Sequence, residues 1–224
     1  SRGLGDVYKR QELQPYNPHT YPIETGVNLE LYNPAKKYET PGDMQDIPRP
    51  IIGYMGTINS TRLDGELLYQ IISQRPDYSF VFTGPEDDIF RRNRIHSLKN
   101  AYFTGQKKVD ELPAYIAAYD VCINPQMVNE ITDGNYPLKI DEYLAMGKPT
   151  VATSTHTMRN IFAGHTHLAI NPEEWLAAID RAVTEADDKE LAKQRIAFAE
   201  THSWGHSVKK IYEIIDSFLK KKTT

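Results

Sequence analysis

From Pro50 onward the chain alternates short, almost wholly apolar runs with longer amphipathic ones, and this alternation restricts its fold more than any other feature. The apolar runs are "PIIGYMG", "YSFVFTG", "AYFTG", "DVCINP", "PTVAT" and "HLAI". Strands that are apolar at nearly every position are covered on both faces, as in a parallel sheet lying between helices. Helical patterns separate them. In "LDGELLYQIISQRP", Leu63, Leu67, Leu68, Ile71 and Ile72 share one face. The charged segment 87–98 is expected to form the next helix. Asp110 is expected to cap another, with Leu112, Tyr115, Ile116 and Tyr119 turned inward. Helices follow over 172–184 and 188–201, and the last, "SVKKIYEIIDSFLKK", sets Val208, Ile211, Tyr212, Ile215, Phe218 and Leu219 on one stripe. This succession predicts a single α/β domain with a doubly wound, Rossmann-like parallel sheet.

The remaining sequence divides simply. Residues 1–11 read as a non-native leader, and 12–48, rich in Pro, Asn, Thr and Tyr without a period, as a linker or lead-in. Residues 49–221 make the domain. At 224 residues and a net charge of −4, no global field draws the chain to nucleic acid. No apolar run approaches the ~18 residues of a membrane span. Cys122 is the single cysteine and lies in an apolar run, which fits a reducing compartment and an expected cytoplasmic location. No metal site is expected. His165 and His167 lack a third ligand, His202 and His206 read as capping and packing residues beside an anchoring Trp204, and no Asp-x-Asp pair occurs. The absence of G-x-G-x-x-G, P-loop and G-x-S-x-G patterns disfavours dinucleotide enzymes, P-loop NTPases and α/β-hydrolases.

Parallel sheets of this kind bind ligands beyond the carboxyl ends of their strands, where strand order reverses. That directs attention to the polar loops 56–62, 84–88 and 125–136. Glu86, Asp87 and Asp88 read as an acidic first helical turn. The stretch "NYPLKIDEYLAMGKPTVATS" is the most informative. Pro137 is tolerated in a first helical turn and Gly147 suits the position just past the last. Lys139 and Glu142, three apart, share a face. A lysine in the first turn opposes the helix dipole, and a bound anion would remove the conflict. The alternative is a surface Lys–Glu pair worth about 0.3–0.5 kcal/mol.

The same stretch resembles the donor-binding segment of bacterial GT-B glycosyltransferases of family four, in which a glutamate-bearing loop leads into a helix ending in Gly-x-Pro. Other segments agree in order and spacing. "IIGYMGTINSTRLDGELL" resembles the first strand, glycine loop and helix of the donor domain, "RPDYSFVFTGP" the second strand, and "AYFTGQKKVDELPAYIAAYDVCINP" the wall of the base pocket. "ETGVNLELYNP" resembles the segment joining the two halves, and "SWGHSVKKIYEII" the C-terminal helix that packs back on the other half.

The resemblance, over residues 50–218, implies the C-terminal half of a GT-B fold. It implies a nucleotide-diphosphate-sugar donor, UDP-sugar or GDP-sugar, with no further cofactor. It also implies retaining transfer to a glycan or lipid-linked acceptor held by an N-terminal domain outside this chain, and peripheral membrane contact. Carried over by position, Glu142 would bond the ribose, Lys139 and Arg62 would neutralise the diphosphate, and Gly56 would let the backbone approach it. Gly134 and Asn135 would line the donor loop, and Tyr102 and Phe103 would meet the base. The family's glutamate near the transferred sugar falls at Gly134 here, so Asp133 is expected to take its place in catalysis. That departure keeps two other readings open: a non-catalytic α/β nucleotide-sugar-binding or partner module, and a sugar-nucleotide epimerase of the same architecture.

Overall fold

The computed structural model describes residues 13–21, 23, 25–129 and 132–222. Its apolar runs become β1 (Ile51–Met55), β2 (Ser79–Thr83), β3 (Ala101–Gly105), β4 (Val121–Asn124), β5 (Thr150–Thr153) and β6 (His167–Ala169). β1, β2, β4 and β5 are buried at every position, as strands covered on both faces must be. All pair in parallel, in the order β3-β2-β1-β4-β5-β6. Chain progression therefore reverses between β1 and β4, which creates a crevice at their carboxyl ends.

The helices are α1 (Gly65–Ser73), α2 (Leu112–Ala118), α3 (Leu138–Ala145), α4 (Pro172–Thr184), α5 (Lys189–Thr201) and α6 (Trp204–Lys222). α1 and α4 bury Leu68, Ile71, Ile72, Trp175 and Ile179 on one side of the sheet. α2, α3 and α5 cover the other with Ile116, Ile140, Tyr143, Leu144 and Ala199. Side-chain caps fix three helix starts. Asp64 accepts from the Leu67 amide at 2.9 Å, Asn171 from Glu174 at 2.9 Å, and Asp188 from Leu191 at 3.0 Å.

Several local expectations are corrected. Segment 87–98 forms two 3₁₀ turns, Phe90–Arg92 and Arg94–Ser97, in place of a helix. It has only Phe90 and Ile95 to bury, five apart and off the helical period. Asn93 also breaks the run by accepting from the Ile95 amide. Asp87 starts the first turn by accepting from Phe90 at 2.6 Å, while Glu86 meets His96 instead. Asp110 does not cap α2. Glu111 holds that position without a side-chain cap, because its carboxylate accepts from the Lys108 amide.

Within the lead-in, 25–48 holds the 3₁₀ turn Gly42–Met44 and a lone β-bridge from Val27 to Ser203, and it buries Val27, Tyr32 and Met44 in the core. The leader 1–11 lies outside the described residues. Trp204 is not a buried anchor. It is 53% exposed, and the junction is held by backbone bonds from Val27 to the His202 carbonyl and from Trp204 to the Val27 carbonyl. Much of the α6 stripe is likewise exposed, at Val208, Ile211, Tyr212, Ile215 and Leu219, while Phe218 meets the His19 ring edge-on at 4.8 Å between centres.

Candidate functional site

Two loops leave the sheet at the crevice, and each is tied to the other. The loop after β1 turns at Gly56, whose φ is 134°. Its far end pairs Leu63 with Gln126, beyond β4, and the Met127 amide donates to the Arg62 carbonyl at 2.8 Å. α3 is locked to the same strand end, because the Met55 amide donates to the Tyr143 hydroxyl at 2.8 Å in the core. Between the loops opens a cavity of about 490 Å³, lined by Tyr54, Gly56, Asn59, Arg62, Gln126, Asn135, Tyr136 and Lys139 among others.

Lys139 projects from the first turn of α3 to the floor of this cavity. Its Nζ donates to the Tyr54 hydroxyl at 2.7 Å and stands 4.1 Å from the centre of that ring. The Tyr54 hydroxyl in turn donates to the Thr57 carbonyl at 3.0 Å. Among the described residues neither Lys139 nor Arg62 forms an ion pair. Two cations thus share one concavity near a helix N-terminus with no carboxylate among the described residues within ion-pair distance of either, an arrangement suited to an anion.

Glu142 lies one turn along α3 and is half-buried. It is not among the residues lining the cavity. Burial raises its carboxyl above the usual carboxylate range, and the facing Tyr32 hydroxyl and the Lys139 ammonium offset only part of that rise. Its neighbour Asp141 is fully buried, accepting from Tyr136 at 2.6 Å and meeting His202 Nδ1 at 3.0 Å. Burial raises the Asp141 carboxyl too, against the pull of those two partners.

The structure brings four of the sequence-predicted residues, Gly56, Arg62, Asn135 and Lys139, to the cavity. Five others stand elsewhere. Asp133 accepts from the His156 amide at 2.7 Å, just before the π-helical turn Met158–Phe162, and Gly134 follows Asp133 in the turn 132–134. Tyr102 packs against the core, and the Phe103 ring stacks on Phe82 and His96 at 5.2 and 3.8 Å between centres. With Glu142, these are the residues the cavity does not gather. Sequence reasoning missed Tyr54, Asn59, Gln126 and Tyr136. The only signal for Tyr54 was a hydroxyl-bearing residue two before a loop glycine in an otherwise apolar strand.

The order of strands and the cavity at its reversal define the class: a doubly wound, Rossmann-like α/β domain with its crevice where the strand order reverses. Residues 49–185 match the family described as "Glycosyl transferases group 1", and the chain belongs to that family. It is 27% identical over 188 residues to the Bacillus subtilis (strain 168) protein named as the teichuronic acid biosynthesis glycosyltransferase TuaH. That match covers 81% of this chain and 47% of the relative, so the chain spans about half its length.

Among solved structures, a glycosyltransferase from Rickettsia africae superposes with a TM-score of 0.75 at 21% identity, covering 97% of this chain and 62% of that one. Sucrose-phosphate synthase from Thermosynechococcus elongatus gives 0.69 at 18%, covering 97% and 58%. Anabaena HepE, solved with UDP and glucose, gives 0.64 at 17%, covering 87% and 56%. At these identities the likeness establishes the fold. Among the described residues no helix is long and apolar enough to cross a membrane.

Proposed function

We propose that the cavity between the β1 and β4 loops takes the diphosphate of a nucleotide-sugar, UDP-sugar or GDP-sugar, as donor for a glycosyl transfer. The observation that carries this reading is the pair Lys139 and Arg62. Both face one crevice at the strand-order reversal, and neither has an ion-pair partner among the described residues. Cationic groups on a departing diphosphate are a large electrostatic contribution to such chemistry. Glu142, next along α3, would accept from the ribose hydroxyls, a task for which a carboxylate's two oxygens suit vicinal donors. The diphosphate in HepE's ligand and the family membership support the same reading.

In the complete protein the sugar would pass, with retained configuration, to a glycan or lipid-linked acceptor of polysaccharide biosynthesis. That acceptor would be held by a further half contacting the open α6 stripe. The setting would be cytoplasmic, with peripheral membrane contact, and the donor would serve as substrate without another cofactor. A second reading, a non-catalytic nucleotide-sugar-binding module, is favoured by one observation. Asp133, the residue next to Gly134, already uses its carboxylate on the His156 amide.

Calorimetry with UDP, GDP and ADP tests the site. Selective binding of one diphosphate, weakened by about 1–3 kcal/mol in Lys139→Ala and in Glu142→Ala, is the expected result. Unchanged affinity in both variants would rule the site out. Transfer by the full-length protein would then separate the enzyme from the binding module.

A further inference from the structure

We propose that Tyr54 is a positioning residue that holds the Lys139 ammonium ready for the donor diphosphate; this deepens the reading just given and rests on it. A lysine ammonium ends a flexible stem, and here it starts from a first helical turn, whose partial positive charge pushes it outward. Something must hold it over the crevice. Tyr54 does so through three features of its surroundings. It is 2% exposed, sits on a strand buried along its whole length, and packs 6.3 Å from the Phe82 ring, so the phenol is rigid. Its hydroxyl proton is committed to the Thr57 carbonyl, at 3.0 Å. The oxygen therefore faces Lys139 as an acceptor, and the 2.7 Å contact has a fixed polarity.

The third feature is space. A Cβ at Gly56 would stand 2.7 Å from Lys139 Nζ, so the glycine opens the slot that Tyr54 closes from the other side. With the ring centre only 4.1 Å from Nζ, the cation is held by the phenol's oxygen and by its π system together. A neutral phenol holds the ammonium without cancelling its charge, whereas a carboxylate in its place would. No charge is spent on Tyr54, and the ammonium stays available to the diphosphate.

The test is calorimetric, with UDP against uridine and GDP against guanosine, on the wild type, Tyr54→Phe, Lys139→Ala and the double variant. Tyr54→Phe keeps the ring and removes only the oxygen. It should weaken the bound diphosphate about five- to tenfold while leaving the matching nucleoside within twofold, the loss of one hydrogen bond to a charged group. The double variant should bind no more weakly than Lys139→Ala alone, because the phenol acts through the lysine. Lys139→Arg, which leaves the core untouched, keeps the charge but abandons the single-point contact, and should lose diphosphate selectivity in the same direction.

A merely structural Tyr54 would lower the thermal midpoint and weaken diphosphate and nucleoside alike. Equal losses of that kind, or full additivity of Tyr54→Phe with Lys139→Ala, would overturn the positioning role and leave the site standing. No effect of Lys139→Ala on diphosphate binding would sink the site itself, and the positioning role with it.

Discussion

A Cβ placed on Gly84 would lie 2.0 Å from the carbonyl oxygen of Gly56. The two glycines follow β1 and β2 directly, with φ of 134° and 149°, and Gly84 comes too close to the Gly56 backbone to carry a side chain, next to the loop that lines the cavity. The crevice thus depends on two neighbouring strands ending in residues without side chains.

Gly84→Ala is therefore expected to destabilise the domain by about 2–4 kcal/mol, through a backbone clash added to an unfavourable φ. Because the clashing atom belongs to Gly56, nucleotide affinity should fall in the folded fraction as well. Gly105→Ala is the control. Its φ is 72°, but nothing lies within 4 Å of its Cβ position, so it should cost only the roughly 1–2 kcal/mol of a left-handed conformation. Urea titration of both variants separates the terms, and equal losses would refute the close-approach account.

At the β6 edge of the sheet Glu185 serves three bases. It accepts from Arg195 at 2.6 Å and Arg181 at 3.2 Å, and meets His167 at 3.0 Å. The Arg195 side chain is only 7% exposed, and desolvation pulls its pKa below the usual guanidinium range. Removing the carboxylate strands that buried charge. Glu185→Ala should cost about 2–4 kcal/mol, while replacing Arg195 by Met along with it should recover much of the loss. Additive losses in the double variant, read from thermal or urea midpoints, would mean that the pair is not coupled.

The architecture could be read from the chain because burial on two faces imposes an all-apolar pattern that little else produces. Of the site, only Lys139 was argued from the residues themselves, since a cation in a first helical turn is locally unfavourable and such a conflict points to an anion. Arg62 and Gly56 were expected from the family resemblance, and the structure sets all three on one cavity. The helix expected over 87–98 failed because composition was read without period: its two buried residues do not fall on one helical face. That Tyr102 and Phe103 stand away from this cavity was not legible, because an aromatic strand edge gives no hint of which neighbours will cover it: Tyr102 packs against the core, and Phe103 lies against Phe82 and His96. Tyr54 was invisible because its contact with Lys139 lies in one oxygen at the end of a ring that otherwise reads as core.

Asp133 carries the sharpest test of catalysis. Its carboxylate accepts the His156 amide at 2.7 Å, so Asp133→Ala removes an anchor as well as an acid. Asp133→Asn keeps an acceptor for that amide and removes the charge. If Asp133 takes part in transfer, both variants of the full-length protein should lose turnover by a larger factor than nucleotide affinity. Should Asp133→Asn turn over normally while Asp133→Ala loses stability by about 1 kcal/mol, its role is that of a cap alone.

Glu142 gives two pH dependences of opposite sign. Burial holds its folded pKa above the unfolded value, so between the two the folded state binds more protons and stability rises as the pH falls. A ribose needs the ionised carboxylate as acceptor, so nucleotide affinity should fall across the same window, which lies just above the ordinary carboxylate range. The unliganded domain therefore gains stability on mild acidification while its complex loses affinity. Asp141, also raised by burial, adds to the first trend but not to the second. Glu142→Gln should flatten the affinity profile and reduce the slope of the stability profile. Calorimetry of nucleotide binding and thermal midpoints, both taken between about pH 4.5 and 7.5, measure the two curves. An affinity profile unchanged by Glu142→Gln would remove the glutamate from the ribose contact, and a stability profile unchanged by it would remove the buried carboxylate from the cause.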